Sequence, residues 1–143
     1  MEPSLNRFVD AQADDYESAL HELLAGAKRG HWMWYVFPQM RGLGQTETSR
    51  HFGIRDADEA RSYLSHPVLG QRLIECTRAV LRFKDRRLRE IFSPPDDLKF
   101  GSCMTLFALQ HNAPPEFQSA IDAFLGGRMD PKTIALLQSP PAP

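Results

Sequence analysis

The apolar residues that follow Pro67 recur with the period of an α-helix, and this pattern constrains the fold more than any other feature. Neighbouring members are four or three positions apart and share one helix face: Leu69, Leu73, Cys76, Val80 and Phe83. Pro67 suits the first turn, because a proline lacks an N–H that would have no helical acceptor there. A helix with one apolar face is stable when that face packs against other elements.

Prolines and glycines divide the remaining sequence into further short segments with helical spacing. Ser4 can cap a short first helix, and Asp14 or Asp15 can cap a second helix that ends at Gly30. The other predicted helices span residues 56–66, 86–92, 96–110, 114–127 and 130–137.

Two of these segments carry clear start signals. Asp56 and Glu59 have the spacing of a capping box, and Asp130 precedes a proline at the first helical position. We therefore predict an all-α fold, a single compact domain of short helices over residues 1–138 with little or no β-structure. A few strand residues around positions 34–37 are compatible with this fold, and the Pro-rich residues 139–143 are predicted to be a disordered tail.

Length, charge and cysteine content narrow the functional classes. A chain of 143 residues can bury a core without a disulfide or a metal. The net charge of −1 gives no strong attraction to nucleic acid or membrane lipid, so neither partner is expected. No signal-peptide region or membrane-length apolar run is present, so we expect a cytoplasmic protein with reduced Cys76 and Cys103. The histidines lack zinc-site spacing, and we expect no metal and no cofactor. The oligomeric state stays open.

The segment GHWMWYVFPQMRGLG, residues 30–44, holds both tryptophans of the chain. Trp32 and Trp34 can stack on a flat ligand, while His31 and Gln39 bracket the aromatic run and can supply directional hydrogen bonds. Alternatively, the tryptophans belong to the core, where each buries a large area. Polar groups buried beside them would need partners.

A second polar group follows the next predicted helix. His66 lies just before the helix that begins near Pro67, where its imidazole either caps that helix or takes part in acid–base chemistry. Arg72 lies at the edge of the apolar face, where it either pairs with a carboxylate or binds an anion.

A third polar group, formed by Asp96, Asp97, Lys99 and Ser102, lies at a predicted helix start. Adjacent carboxylates there are most simply caps, favoured by the helix dipole. If one of them caps the helix, the other is free to pair with Lys99 or Arg72. A carboxylate that meets one of the histidines would form a general acid–base pair.

Five stretches occur together in a fixed order: RFVDAQ, HWMWYVFPQMRGLG, YLSHPVLGQRL, DDLKFGSCMTLF and DPKTIALL. This set resembles a bacterial family known as domain of unknown function 1810, whose members are often labelled calpastatin. The resemblance covers about residues 5–137 and implies a single, mainly helical domain, but no activity. Calpastatin itself is a long disordered inhibitor, and the globular composition of this chain does not match it.

The resemblance also supplies motif positions. They are His31, Trp32, Trp34, Phe37, Pro38, Gln39, Gly42, Gly44, His66, Pro67, Gly70, Arg72, Asp96, Asp97, Lys99, Ser102, Met104 and Thr105. Cys103 stands where the family usually has serine, which argues against this cysteine as a required nucleophile.

The first functional hypothesis is a cytoplasmic binding domain, with or without catalysis, for a nucleotide-like or other anionic aromatic metabolite. The predicted catalytic residues are His31, His66 and Asp97. The predicted ligand-binding residues are Trp32, Trp34, Gln39, Arg72, Asp96, Lys99 and Ser102. This hypothesis requires His31, His66, Arg72 and Asp97 to share one cavity.

The second hypothesis is a non-catalytic protein-interaction module. Its motif residues would form a buried polar network that specifies the fold, and an exposed apolar surface would bind a protein partner. This hypothesis predicts a large apolar patch, closed ion pairs and no pocket of ligand size.

Overall fold

The structure is a computed structural model that describes residues 4–141. Over that range the chain forms nine α-helices and no β-strand, which confirms the predicted all-α fold. In chain order the helices are α1 (Asn6–Leu24), α2 (Met33–Val36), α3 (Glu47–His51), α4 (Ala57–Ser65), α5 (Leu69–Leu81), α6 (Leu88–Ile91), α7 (Asp96–Ala108), α8 (Pro115–Leu125) and α9 (Pro131–Gln138).

α1 is one continuous helix, so the prediction of two helices in this region was wrong. Residues 11–13 are Ala-Gln-Ala, which have good helix propensity and contain no breaker. Asp14 and Asp15 therefore lie inside the helix instead of capping a new one. The chain also turns earlier than Gly30, because Gly26 adopts the left-handed conformation with φ of 75°.

The aromatic segment forms the one-turn helix α2 in place of the strand residues that the sequence allowed. Among the described residues, the single β-type pairing is an isolated parallel bridge between Met40 and Ile54. The Arg41 N–H donates to the Ile54 carbonyl, and the Ile54 N–H donates to the Gln39 carbonyl, both at 2.9 Å. These bonds hold the loop after α2 against the segment that precedes α4.

The predicted helix starts at Asp56 and Asp130 are confirmed. Asp56 accepts the backbone N–H of Glu59 at 2.9 Å, and Asp130 accepts that of Lys132 at 3.3 Å. The Glu59 carboxylate does not take the capping-box role that its spacing from Asp56 suggested. It accepts two hydrogen bonds from the buried guanidinium of Arg7, at 3.0 and 3.3 Å. This buried ion pair connects the start of α1 to α4.

The apolar face predicted for α5 is buried in the structure. Leu69, Leu73, Cys76 and Val80 belong to the core, and Phe83, just beyond the helix end, packs against it. The periodicity therefore identified both the helix and its orientation.

α7 is the central helix of the fold. Every residue from Phe100 to Phe107 is buried, and the helix contacts α4, α6, α8 and α9. The Phe100 ring packs against Phe37 and Phe92, with centroids 5.1 and 5.0 Å away. The first turn of α7 reaches the surface, so this turn joins the core to any site that opens there.

α9 ends at Gln138. The predicted tail at 139–143 includes residues 142–143, which lie outside the described residues, and its disorder and the domain boundary at 138 stay predictions. No helix within residues 4–141 is long and apolar enough to cross a membrane.

Candidate functional site

A cavity of about 440 Å³ opens at the start of α7. It is bounded by the loop between α2 and α3, the first two turns of α7, and the connection from α8 to α9. Its volume lies within the roughly 300–1,000 Å³ that is usual for small-molecule sites. We call it the α7–α9 cavity.

Four of the residues predicted from the sequence line this cavity, namely Gln39, Asp97, Lys99 and Ser102. Gln39 comes from the loop after α2, and the other three lie on the first two turns of α7. Asp97 accepts the backbone N–H of Leu98 at 2.9 Å, which uses one of its two carboxylate oxygens. The structure thus brings together residues that are about sixty positions apart in the sequence.

Asp130, at the start of α9, connects two helices beside the cavity. Its Oδ2 atom accepts hydrogen bonds from the hydroxyls of Ser102, at 2.9 Å, and Thr133, at 2.5 Å. Its Oδ1 atom accepts the N–H of Lys132, and its own N–H donates to the Thr105 hydroxyl at 2.9 Å. α9 is therefore fastened to α7 through one residue, which fixes the separation of two cavity walls.

The Lys99 side chain, which lines the cavity, also contacts two other side chains. Its Nζ atom lies 5.1 Å from the centroid of the Trp34 ring and 3.6 Å from the Asp96 carboxylate. Asp96 also pairs with Lys28 at 2.8 Å, and the Lys28 Nζ atom lies 5.0 Å from the Trp32 ring. Both tryptophans are thus connected to the start of α7 through one carboxylate that two lysines share.

Cationic side chains outnumber carboxylates in the cavity lining. The lining contains three cationic residues, Lys99, Arg128 and Lys132, and two carboxylates, Asp97 and Asp130, which gives a net charge of +1. Arg128 and Lys132 are exposed, and neither forms an ion pair in the part of the chain that the structure describes. The lining therefore favours a ligand with negative charge.

The cavity also has an apolar wall. Leu43, Leu98, Leu125 and Met129 contribute to it. Leu98 is 72 % exposed, which is unusual for so large an apolar side chain in the first turn of a helix that is otherwise buried. An apolar portion of a ligand would cover this surface.

His66 lies elsewhere and has a structural role. Its Nδ1 atom accepts the backbone N–H groups of Val68 and Leu69, at 3.1 and 3.2 Å, and so caps the start of α5. Of the two alternatives that the sequence left open for His66, helix capping is the one that the structure contains. His31 is exposed in the loop before α2.

Arg72 is also remote from the α7–α9 cavity. Its guanidinium stacks on the Tyr16 ring at 4.5 Å and donates to Gln12 at 3.3 Å, and it borders a separate surface depression on α5. The sequence left open a carboxylate partner or a bound anion for Arg72, and the partners that the structure gives it are the Tyr16 ring and the Gln12 side chain. Of the four residues that the first hypothesis required in one cavity, only Asp97 lines the α7–α9 cavity. This cavity is therefore not the site of that hypothesis, and a ligand there would be bound by a different set of residues.

Trp32 is a core residue with 2 % of its surface exposed. Its indole N–H donates to the Glu22 carboxylate at 2.9 Å, and the same oxygen accepts the N–H groups of Arg29 and Gly30. Burial raises the pKa of Glu22, but these donors outweigh it, and the pKa lies below its usual value. Of the two tryptophans, Trp34 is the one that is only half-buried and lies beside the cavity residue Lys99.

Both cysteines are free and buried. Burial raises the pKa of the Cys76 thiol to about 12 and that of Cys103 well above its usual value. The thiols therefore stay protonated, which is consistent with structural cysteines and adds to the argument against Cys103 as a nucleophile.

Three charged lining residues were not predicted from the sequence as site residues, namely Arg128, Asp130 and Lys132. The stretch DPKTIALL was recognised as a motif of the family, but Asp130 was assigned only a capping role. Helical periodicity identifies the start of α9 and does not reveal which helix that start contacts.

A known sequence family covers almost the whole chain. The family described as "Protein of unknown function (DUF1810)" matches residues 2–137. The chain belongs to the DUF1810 family. A similar solved structure is that of the conserved hypothetical protein Rv1873 from Mycobacterium tuberculosis, with 51% sequence identity, coverage of 94% of this chain and 96% of that chain, and a TM-score of 0.91. No curated protein matches the chain.

The match confirms the resemblance noted from the sequence motifs. The DUF1810 fold extends over nearly the full length of both this chain and Rv1873. A shared fold does not determine a function, which has to be argued from the geometry and chemistry of a site.

Proposed function

We propose that this DUF1810 protein is a binding domain for a small anionic metabolite that also carries an apolar or aromatic portion. The observation that supports the proposal is the α7–α9 cavity, which combines a volume of about 440 Å³ with three cationic side chains and an apolar wall. Sites of this kind fix a ligand by apolar contact and orient it by a few polar groups.

The distribution of charge supports an anionic ligand. Asp130 already accepts hydrogen bonds from Ser102, Thr133 and the Lys132 backbone, so its negative charge is largely compensated within the protein. Among residues 4–141, no carboxylate pairs with the side chain of Arg128 or Lys132, and the Arg128 guanidinium donates one long hydrogen bond, of 3.5 Å, to the Leu125 carbonyl. A carboxylate or phosphate group in the cavity would supply an anionic partner.

A protein-interaction module is less well supported. That hypothesis expects a contiguous apolar patch, but the exposed large apolar residues of the described range, Leu24, Val68, Leu98 and Leu109, belong to different turns and helix ends. Single exposed apolar residues are common on soluble domains. Leu98 is explained by its position in the cavity wall.

The proposal is for binding, with no reaction assigned. The predicted acid–base residue His66 is committed to capping α5, and Asp97 is the predicted catalytic residue that lines the cavity. We place the ligand among cytoplasmic metabolites because two buried, unpaired thiols suit a reducing compartment.

A thermal-shift screen tests this proposal. The wild-type protein would be heated with nucleoside monophosphates, sugar phosphates, aromatic carboxylates and amino acids. A ligand at a hundred times its dissociation constant adds about 2.7 kcal/mol of stability, which corresponds to several degrees at roughly 2–4 °C per kcal/mol.

The matched variants are Arg128→Met with Lys132→Met, and, as a control, Lys84→Met with Arg89→Met. All four side chains are exposed, and both double variants change the net charge equally. We expect an anionic hit whose shift is lost in the first double variant and kept in the second. If every hit kept its shift in the first variant, or if none of the anionic compounds shifted the wild type, the proposal would be wrong.

A further inference from the structure

Lys99 belongs to two cavities at once. It lines the α7–α9 cavity, and it also covers a small slot of about 10 Å³ beside Trp34, Phe37 and Phe52. Gln39 and Ser49 border both spaces as well, so the two adjoin. The Lys99 side chain, with its ammonium 5.1 Å from the Trp34 ring centroid, therefore lies between the aromatic slot and the larger cavity.

The present partners of Lys99 hold it loosely. Its ion pair with Asp96 measures 3.6 Å, and both side chains are partly exposed, at 24 % and 20 %. Partly exposed ion pairs of this kind contribute little to stability, and a cation over a half-buried aromatic ring such as Trp34 adds a similarly modest amount. The ammonium can therefore be drawn to a stronger anion without a large loss of stability.

Lys28 makes this exchange favourable. Its ammonium lies 2.8 Å from Asp96 and is 9 % exposed, and it also donates to the Gly30 carbonyl at 2.5 Å. When Lys99 leaves, Asp96 keeps this closer partner and is not left as an uncompensated carboxylate. Because Asp96 is shared by Lys28 and Lys99, the positive charge of Lys99 is available to a ligand.

We propose that the α7–α9 cavity takes an aromatic anion whose charged group replaces Asp96 as the partner of Lys99, and whose ring occupies the space that Lys99 vacates over Trp34. This inference rests on the proposed function and specifies the ligand class and its orientation. The aromatic face of Trp34 can stack on flat groups of different kinds. Gln39, at the border of both spaces, can supply a directional hydrogen bond.

The experiment compares phenyl phosphate, inorganic phosphate and phenol by titration calorimetry with the wild-type protein. Phenyl phosphate should bind at least about tenfold more tightly than inorganic phosphate, since stacking on one aromatic side chain contributes on that scale. Phenol should bind more weakly than phenyl phosphate. Tryptophan emission should change with phenyl phosphate, because Trp34 exchanges an ammonium for a ring.

Two variants assign these effects to their residues. Lys99→Met keeps an unbranched side chain that is one atom shorter and removes the charge, and it should weaken phenyl phosphate binding at least about tenfold. Trp34→Leu should remove most of the advantage of phenyl phosphate over inorganic phosphate while leaving inorganic phosphate binding intact. Lys84→Met, an exposed cation outside the cavity lining, is the matched control and should bind all three compounds as the wild type does.

The outcomes separate this inference from the proposed function. Anion binding that is lost in the Arg128 and Lys132 double variant but unaffected by Lys99→Met would support the cavity and overturn the role of Lys99. Equal affinities for phenyl phosphate and inorganic phosphate would overturn the ring position. Retained emission changes in a folded Trp34→Phe variant would do the same, because Trp32 would then be the source. No anion binding to the wild type would overturn both proposals.

Discussion

Replacing Asp130 with alanine should destabilise the protein strongly, although this residue lies near the surface. The change removes the N-cap of α9, which contributes about 1 kcal/mol. It also removes the charged acceptor of the Thr133 hydroxyl, which is fully buried. A hydrogen bond to a charged group contributes about 1.5–3 kcal/mol. The Ser102 hydroxyl adds less, because it can still donate to the Leu98 carbonyl at 3.2 Å.

These terms predict that the free energy of unfolding falls by about 3–4 kcal/mol in Asp130→Ala. Urea unfolding followed by circular dichroism measures it, and an unchanged m-value would show that the unfolded state is the same. Asp130→Asn is the matched control, since it keeps the cap and one acceptor oxygen and should lose about 1–2 kcal/mol. A loss below about 1 kcal/mol in Asp130→Ala, or equal losses in both variants, would refute the reasoning that this carboxylate fastens α9 to α7.

Three further changes test other parts of the structure. Glu59→Gln removes the carboxylate that pairs with the buried Arg7 guanidinium and should lower the free energy of unfolding by about 3–5 kcal/mol. Replacing Arg7 with Met together with Glu59 with Leu should lower it by less. A double-mutant cycle in urea checks this, and a small loss in the single variant would contradict it. The pKa of Glu22 is lower in the folded state, so its contribution is present above the unfolded-state pKa and is lost as the pH falls through the folded-state value. Glu22→Gln should thus lower the free energy of unfolding by about 1–2 kcal/mol near pH 7 and by progressively less in acid. Urea midpoints of the variant and the wild type across the pH range measure this, and a difference between them that did not change with pH would contradict it. His66→Ala should cost about 1 kcal/mol through the lost helix cap and leave ligand affinity unchanged, and a variant of normal stability that no longer binds would reverse this assignment.

The helices could be predicted from the sequence because their signals are local. The apolar period of α5, the proline and glycine that bound α8, and the aspartate that caps α9 each act within a few residues. The error at α1 has a physical reason. Asp14 is a good cap only where a helix begins, and Ala11 to Ala13 continue the helix, so that Gln12 and Tyr16 reach Tyr63 and Arg72.

The candidate site could be predicted only in part. Gln39, Asp97, Lys99 and Ser102 were selected from the sequence and line one cavity. Asp130 was recognised as a cap, but its hydrogen bond to a hydroxyl of another helix depends on how α9 packs against α7.

The sequence by itself determined the helical class, the positions of most helices and the polar residues worth considering, because turn chemistry and apolar spacing are short-range properties. The tertiary structure decided which of those polar residues meet. His66 and Asp97 both lie at a helix start, yet His66 accepts backbone N–H groups and Asp97 borders a cavity. That difference comes from the packing of α7 among distant helices, where burial of apolar surface sets the positions and no local pattern records the result.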